Sequence, residues 1–328
     1  LGVDTKNPFK IYFNKYKICN LIKKYGVNII HARSRAPAWS AYFAAKSLGI
    51  PFITTFHGTY GTENHIKKLY NSVMLKGISV IAISRFIKEH IKNTYDVKNS
   101  VEVIPRGVNV DIFSPDKVTS ARMIGLANKL KITEVNYTIL MPARLTEWKG
   151  QKHAIKAISL VKKPNIRLII VGDKQNRFKY KESLEKYSKA LGVQGIVQFE
   201  EHSRDLPAMM MLSDIVLSCS TKPEAFGRVI LEAQAMGRPV IAYGHGGAIE
   251  LISDNQNGVL SPVRNIKELA KNIDLVLGFS NTKRKALSKK SISNVKNKYQ
   301  TKFMTTKTIL LYKKILKKFK YNEKNINY

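Results

Sequence analysis

The chain has 328 residues, of which 44% are hydrophobic, so its length allows two domains with hydrophobic cores of ordinary size. No apolar run in the sequence approaches the roughly 18 residues that a membrane-spanning helix needs. The two cysteines, Cys19 and Cys219, give neither a disulfide framework nor zinc-ligand spacing, which favours a cytoplasmic protein.

The net charge of +33 is the second compositional feature. Such a charge predicts attraction to phosphate groups or to anionic lipid head groups. Codon usage biased towards AT explains the joint abundance of Lys, Asn and Ile equally well, without any selection for binding. The sequence lacks basic motifs interleaved with aromatic residues, which are typical of nucleic-acid-binding proteins, so we expect no nucleic-acid partner.

The first third of the chain alternates short apolar strands with helical stretches, a pattern that predicts a parallel sheet with crossover helices. The strands are expected at residues 28–31, 52–56, 80–83 and 101–104. Arg33 and Arg35 follow the first strand and His57 follows the second, at the edge where open α/β sheets bind ligands. The two arginines are candidate ligands of an acceptor that bears phosphate or carboxylate, and a plain surface loop is the alternative.

A polar, lysine-containing connection begins at Ser114 and precedes a second set of strands. These strands are expected at residues 137–141, 167–171, 197–199, 215–218 and 239–242. The predicted organisation is an N-terminal domain over residues 1–115, a linker over 116–135, a second domain over 136–295 and a basic helix over 296–328.

Arg144 and Lys149 lie on the strand-to-helix loop that follows residues 137–141. Together they offer two positive charges to a diphosphate, and each charge-assisted hydrogen bond of this kind contributes roughly 1.5–3 kcal/mol. In so basic a chain, the alternative is a solvated basic loop.

Residues 223–232, PEAFGRVILE, form the most informative segment, because with the preceding apolar run they predict a strand, a tight turn and a helix. Backbone N–H groups at the start of such a helix suit a phosphate. Glu224 before the turn and Glu232 two helical turns in can each accept hydrogen bonds from sugar hydroxyls. Two sugars flanking a diphosphate describe a nucleotide-sugar. Its expected ligands here, besides Glu224, are Phe226, Gly227, Val229 and Glu232.

The C-terminal tail, residues 281–328, contains 15 Lys or Arg residues and a single acid, Glu323. Its apolar residues recur at helical spacing and leave the lysines on other faces, which predicts a basic amphipathic helix. This helix is expected to hold the protein at an anionic membrane surface, and a structural role within the protein is an alternative that is compatible with the first.

The segment 223–232 resembles the Glu-x7-Glu motif of the retaining GT-B glycosyltransferases of family 4, the glycosyl transferases group 1. Further segments resemble motifs of this family, in the family's order: residues 54–58 (TTFHG), 104–113 (IPRGVNVDIF), 141–150 (MPARLTEWKG) and 246–250 (GGAIE). One motif of this kind is weak evidence, whereas five in order are strong evidence.

The resemblance implies an α/β fold of two Rossmann-like domains that face a cleft, with the last helix returning to the N-terminal domain. It implies catalytic roles for His57, Arg144, Lys149 and Glu224 in a metal-independent transfer of a hexose with retention, by front-face attack. The donor is then a UDP- or GDP-sugar, and no separate cofactor is expected. The implied acceptor is an envelope glycan or a lipid-linked molecule such as lipopolysaccharide core, at the inner face of the cytoplasmic membrane.

Two departures from the family pattern bear on these expectations. Residues 200–202 read EEH where family members often carry glycine, which leaves the base, uracil or guanine, open. The chain also enters the pattern near the family's fourth strand, so we expect an N-terminally incomplete domain with residues 28–31 as an unprotected edge strand. The alternative function is therefore an inactive or split remnant that binds a nucleotide-sugar without transferring it.

Overall fold

A computed structural model describes the chain except residues 1, 4, 6, 62–63, 98, 134–136, 174–177, 202–204 and 327–328, and for residues 320–326 it describes the backbone alone. His202, in the segment that leaves the base open, lies outside the described residues. The chain divides into two units. Unit 1 comprises residues 1–106 with 302–328, and unit 2 comprises residues 107–301.

The helices and strands alternate along most of the chain. The helices are α1 Pro8–Tyr25, α2 Arg35–Ser47, α3 His65–Ser72, α4 Arg85–Thr94, α5 Ser120–Leu130, α6 Gln151–Ile158, α7 Phe178–Ala190, α8 Leu206–Met211, α9 Arg228–Ala235, α10 Ala248–Leu251, α11 Ile266–Leu277, α12 Asn281–Lys298 and α13 Thr301–Ile326. The strands are β1 Ile30–Ala32, β2 Phe52–Phe56, β3 Ser79–Ala82, β4 Ser100–Val103, β5 Tyr137–Pro142, β6 Ile166–Val171, β7 Val197–Glu200, β8 Ile215–Ser218, β9 Val240–Tyr243 and β10 Val259–Ser261.

Unit 1 contains a parallel sheet of four strands in the order β1-β2-β3-β4. These are the four strands that the apolar pattern predicts in this part of the sequence. The central strands β2 and β3 are buried along their whole length, as expected for a parallel sheet covered on both faces. β1 is an edge strand of this sheet and pairs with β2, with Ile30 opposite Phe52.

The last helix, α13, belongs to unit 1 and packs on its sheet. Leu311 and Ile315 are buried in a cluster with Ile53 of β2, Ile81 of β3 and Ile104, which directly follows β4. Part of the apolar face of the predicted amphipathic helix is thus used inside the protein. Although α13 is long, neither it nor any other helix of the described residues has an apolar stretch sufficient to span a bilayer.

Unit 2 contains a parallel sheet of six strands in the order β10-β9-β8-β5-β6-β7. The direction of winding changes between β8 and β5, and open α/β sheets bind ligands beyond the carboxyl ends of the strands at such a point. Five of these strands are predicted by the sequence. β10 is not, because an apolar run of three residues has no recognisable period.

The connection predicted over residues 116–135 includes a helix, α5, within unit 2. Thr119 caps this helix by accepting a hydrogen bond from the backbone N–H of Arg122. The Arg122 guanidinium makes two hydrogen bonds, of 2.6 and 3.0 Å, to the carboxylate of Asp205. Asp205 lies 83 residues further along the chain, so the composition of residues 116–135 alone could not predict this ion pair.

Candidate active site

The segment 223–232 folds as a strand, a turn and a helix, as its pattern predicts. β8 ends at Ser218, and α9 begins at Arg228. Gly227 caps the helix with φ of +98°, a conformation that glycine adopts without strain. No side chain caps α9, which leaves the N–H groups of Arg228 and Val229 for a ligand, whereas that of Ile230 donates a 3.1 Å hydrogen bond to the Gly227 carbonyl.

Lys149 and Glu224 form an ion pair beyond the carboxyl ends of β5 and β8. The Nζ atom of Lys149 lies 2.6 Å from Oε1 of Glu224, and the two side chains are only 14% and 20% exposed. The hydroxyl of Ser220 donates a hydrogen bond to the same carboxylate oxygen. Lys149 also lies 4.5 Å from the centre of the Trp148 ring, a cation–π contact. The lysine is therefore held at the carboxylate in an aromatic, poorly hydrated setting.

Glycines allow three loops to approach this pair closely. A Cβ atom on Gly150 would collide with the carbonyl oxygen of Cys219, and one on Gly246 would lie 2.6 Å from the carbonyl oxygen of Glu224. The N–H of Gly247 donates a 2.8 Å hydrogen bond to the Glu224 carbonyl. Any larger residue at these positions would push the loop that carries Glu224 away from Lys149.

Glu232 is buried on α9, with 6% of its surface exposed. Burial raises the pKa of Glu232, and the neighbouring Arg228 opposes this effect. The Arg228 guanidinium donates a 2.9 Å hydrogen bond to Oε1 of Glu232. A carboxylate has two oxygens that accept hydrogen bonds, so Glu232 retains acceptor capacity for a pair of sugar hydroxyls.

The other residues expected in this site lie in three different settings. Arg144 is exposed on the loop after β5, and its guanidinium makes no hydrogen bond or ion pair with the described residues. Phe226 is buried, and its ring packs edge-on against Tyr299 at 6.4 Å, so it presents only its backbone to a ligand. Val229 is half-buried in the first turn of α9.

In unit 1, His57 follows β2 and is held by an arginine that the sequence analysis did not single out. The Arg106 guanidinium donates a 3.0 Å hydrogen bond to Nδ1 of His57. Since a guanidinium can only donate, Nδ1 must accept, and the proton of the neutral ring is on Nε2. Burial, together with the charges of Arg106 and Arg33, lowers the pKa of His57 to about 4. At neutral pH this residue is a neutral N–H donor.

The structure separates the two arginines proposed for the acceptor. Arg35 donates a 2.9 Å hydrogen bond to Oδ1 of Asn71, and its guanidinium lies 4.4 Å from the centre of the Tyr60 ring. These contacts connect Arg35 to the segment after His57, and Arg35 is not among the residues that line the cavity beside His57. Arg33 is exposed and borders a cavity of unit 1 that His57 also lines.

A second histidine, His31, also lines this cavity and was missed by sequence reasoning. Its Nδ1 lies 2.5 Å from the hydroxyl of Tyr312, and its Nε2 lies 2.6 Å from the hydroxyl of Thr55. Burial and the charge of Arg33 lower the pKa of His31 to about 4. Tyr312 comes from α13, 281 residues away, so no local signal could have found this pairing. Arg106, in contrast, lies within the segment 104–113 and could have been identified.

The described residues contain no group of three or more His, Cys, Asp or Glu side chains arranged to hold a metal ion. The charged side chains at the candidate donor site, those of Arg144, Lys149, Glu224, Arg228 and Glu232, all belong to unit 2.

Comparisons with known proteins agree with this architecture. The family model for glycosyl transferases group 1 matches residues 126–294, and the model for glycosyltransferase family 4 matches residues 2–112. A solved glycosyltransferase from Rickettsia africae is 38% identical, with a TM-score of 0.89 over 97% of this chain and 84% of that protein. HepE from Anabaena, solved with UDP and glucose, is 23% identical, with a TM-score of 0.83 over 92% of this chain and 81% of that one.

A curated relative from Mycolicibacterium smegmatis, a GDP-mannose-dependent phosphatidylinositol monomannoside mannosyltransferase, is 30% identical over 194 residues. That match covers 55% of this chain and 48% of the relative. The two parallel α/β sheets and their structural neighbours define a glycosyltransferase of the GT-B fold. The chain belongs to the glycosyl transferases group 1 family, whose model matches more than half of its residues.

Proposed function

We propose that this protein transfers a hexose, with retention, from a UDP- or GDP-sugar to an envelope glycan or lipid-linked acceptor, of which lipopolysaccharide core is one example. The observation that carries the proposal is the pairing of Lys149 with Glu224 beside the uncapped start of α9. A cation, a carboxylate and free N–H groups in one place suit the diphosphate and sugar of such a donor.

In this proposal the donor is bound by unit 2. The N–H groups of α9, with Arg144 and Lys149, meet the diphosphate, while Glu232 accepts hydrogen bonds from the two ribose hydroxyls. Without a donor, Lys149 neutralises Glu224. The bound diphosphate offers Lys149 a second anion, and Glu224 can then accept hydrogen bonds from hydroxyls of the transferred sugar.

The chemical step breaks the bond between the anomeric carbon of the sugar and an oxygen of the diphosphate. The acceptor hydroxyl forms the new bond on the same face, and its proton passes to the departing diphosphate oxygen. Negative charge grows on the diphosphate as the bond breaks, and the cations Arg144 and Lys149 stabilise it where it develops. His57, as a neutral Nε2–H donor, supplies a hydrogen bond to the sugar or to the leaving phosphate.

This proposal does not distinguish uracil from guanine as the base of the nucleotide. HepE was solved with UDP, whereas the mannosyltransferase from M. smegmatis depends on GDP-mannose, and this chain resembles both. The association with an anionic membrane is part of the same proposal, and its support is the set of exposed lysines on α13.

Calorimetry with UDP, GDP, UDP-glucose and GDP-mannose, in the presence of EDTA, tests the donor site directly. We expect either the two uridine nucleotides or the two guanosine nucleotides to bind without metal. In the wild type the nucleotide-sugar should bind more tightly than the nucleoside diphosphate, and Glu224→Gln should lose this preference. Glu268→Gln, a partly buried acid on α11 outside the site, is the control. Transfer of labelled sugar to an envelope-glycan extract supports the enzyme, whereas binding without any transfer supports the inactive or split remnant. Binding to none of the four ligands would contradict both.

A further inference from the structure

Unit 1 contains a cavity of about 240 Å³ beside the residues that follow β1, β2 and β4, lined on another side by the first turns of α13. The polar residues that line it include Arg33, Thr55, His57, Arg106 and Tyr312. Its volume lies below the roughly 300–1,000 Å³ typical of sites for drug-sized ligands. It therefore suits one sugar ring or one charged substituent rather than a whole acceptor.

Burial and nearby positive charge lower the pKa of both histidines of this cavity, so both are neutral at pH 7, but their ring nitrogens have different partners. His57 accepts a hydrogen bond at Nδ1 from Arg106, so its Nε2 carries a proton that can be donated. His31 has both ring nitrogens engaged, by the hydroxyls of Tyr312 and Thr55. The cavity thus offers a ligand one imidazole N–H donor, while the His31 ring holds the surrounding hydroxyls in place.

The formal charges that line the cavity are all positive. No Asp or Glu is among its lining residues, whereas Arg33 and Arg106 both are. The guanidinium of Arg33 makes no hydrogen bond or ion pair with the described residues. After burial, the charges of these two arginines are the next causes that lower the pKa of His57, as expected for a ring beside two guanidinium groups. Guanidinium groups, an N–H donor and hydroxyls without any carboxylate suit an anion.

We propose that this cavity binds an anionic group carried by the acceptor, a phosphate or carboxylate on a sugar, with Arg33 as its charged ligand. The inference rests on the proposed function, because an acceptor exists only if the protein transfers sugar. Arg33 interacts with the anion directly. Arg106 acts mainly through His57, whose tautomer it fixes, and is a positioning residue.

The donor diphosphate is the competing occupant. Its candidate ligands, Arg144, Lys149 and the start of α9, all belong to unit 2, whereas every residue that lines the cavity belongs to unit 1. The charged ligand proposed for the acceptor's anion, Arg33, is therefore distinct from those of the donor diphosphate, and His57, whose N–H the proposed function assigns to the donor, is not counted among the ligands of this anion. Simultaneous binding of both is the result that distinguishes them.

The test is calorimetry on the full chain with glucose 6-phosphate, glucuronate and glucose, each titrated with and without saturating UDP or GDP. We expect at least one anionic sugar to bind about tenfold or more tightly than glucose, since a charge-assisted hydrogen bond is lost with the charge. Binding of glucose 6-phosphate would identify the anionic group as a phosphate, and binding of glucuronate would identify it as a carboxylate. Arg33→Gln should reduce the anion's affinity to that of glucose.

Arg85→Gln is the matched control, because it removes one exposed guanidinium from unit 1 at a position that does not line the cavity. It should bind the anionic sugar as the wild type does. Equal binding of glucose and both anions, unchanged binding in Arg33→Gln, or competitive displacement of the anion by the nucleotide would overturn the inference.

A spectroscopic readout gives an independent check of the same inference. In an NMR titration of the imidazole resonances, the bound anion should raise the pKa of His57 above its value of about 4, because it offsets the positive potential. An unchanged His57 titration at saturating anion would contradict the proposed site. Failure of the proposed function looks different, since it appears as the absence of UDP and GDP binding or of sugar transfer, whatever the anion does.

Discussion

The Nζ atom of Lys149 lies 2.6 Å from a carboxylate oxygen of Glu224, although 75 residues separate them in sequence. The pair links the loop after β5 to the loop after β8, at the point where the winding of the unit 2 sheet changes direction. Because the proposed function makes the same lysine a ligand of the donor diphosphate, we expect its partner to change when a donor binds. In the structure Glu224 thus balances the charge of Lys149, whereas Arg144 has no ion-pair partner among the described residues.

Removal of the two cations of this site should weaken the binding of UDP or GDP. With Arg144→Ala and Lys149→Ala combined, we expect a loss of roughly 3–6 kcal/mol if the two contacts add. Lys267→Ala, an exposed lysine on α11, is the control and should bind normally. Calorimetry that shows the double variant with wild-type affinity would remove both residues from the site.

The two glutamates should have separable effects on donor recognition. Glu232→Gln should weaken the nucleoside diphosphate about tenfold, because the carboxylate that accepts both ribose hydroxyls is lost. Glu224→Gln should leave that affinity nearly unchanged and reduce discrimination among nucleotide-sugars. Competition binding with a panel of sugars measures both effects, and an effect of both variants on the sugar alone would show that the assignment is wrong.

The buried position of Glu232 also predicts a pH dependence of nucleotide binding. Burial raises the pKa of this carboxyl, so it takes up a proton at a higher pH than an exposed glutamate does. A protonated carboxyl has less capacity to accept from the ribose hydroxyls, and affinity should fall as the pH is lowered. In Glu232→Gln this part of the pH dependence should disappear, and its persistence would assign the effect to another group.

Sequence patterns predicted the two sheets well because parallel strands covered by helices are continuous apolar runs, as in β2 and β8. They also predicted the turn and the helix of the segment 223–232, since the turn at Gly227 and the start of α9 depend on neighbouring residues. Pairings between distant segments were not predictable. The contacts that engage Arg35 with Asn71, and His31 with Tyr312, depend on the tertiary fold and leave no local pattern.

The neutral histidines of unit 1 predict a loss of stability in acid. The pKa values of His31 and His57 are lowered to about 4, whereas unfolded histidine titrates near 6.5. Between these values the unfolded chain binds more protons, so stability is complete above about pH 6.5 and falls as the pH is lowered towards 4. Because both rings are partly accessible to water, we expect on the order of 1–3 kcal/mol for the pair.

Amide exchange in β2, measured at pH 7 and pH 4.5 with correction for the intrinsic rate, reports this loss in unit 1. The double variant His31→Gln and His57→Gln should lose less protection than the wild type over this interval. Other histidines remain in both proteins and cancel in the comparison. An identical loss in the two proteins would assign the acid sensitivity elsewhere.

The lysines of α13 lead to a prediction about membrane association. Leu311 and Ile315 are buried against the unit 1 sheet, so this helix cannot insert its whole apolar face into a bilayer while unit 1 stays folded. Its contribution should therefore be electrostatic. Among its described side chains the helix has six exposed lysines, and four of them, Lys313, Lys314, Lys317 and Lys318, lie close together in its middle.

Each of these lysines can contribute about 1 kcal/mol near an anionic surface, and salt screens the attraction. Changing the four to Gln should therefore release the protein from vesicles that contain anionic lipid, as measured by co-sedimentation at low and moderate salt. A variant with Lys285, Lys289, Lys290 and Lys296 of α12 changed to Gln has the same net charge and serves as the control. If the control is released as fully as the α13 variant, the attraction comes from the net charge of +33 and not from α13 in particular. If the α13 variant stays bound at moderate salt, the lysines of this helix have no role in docking.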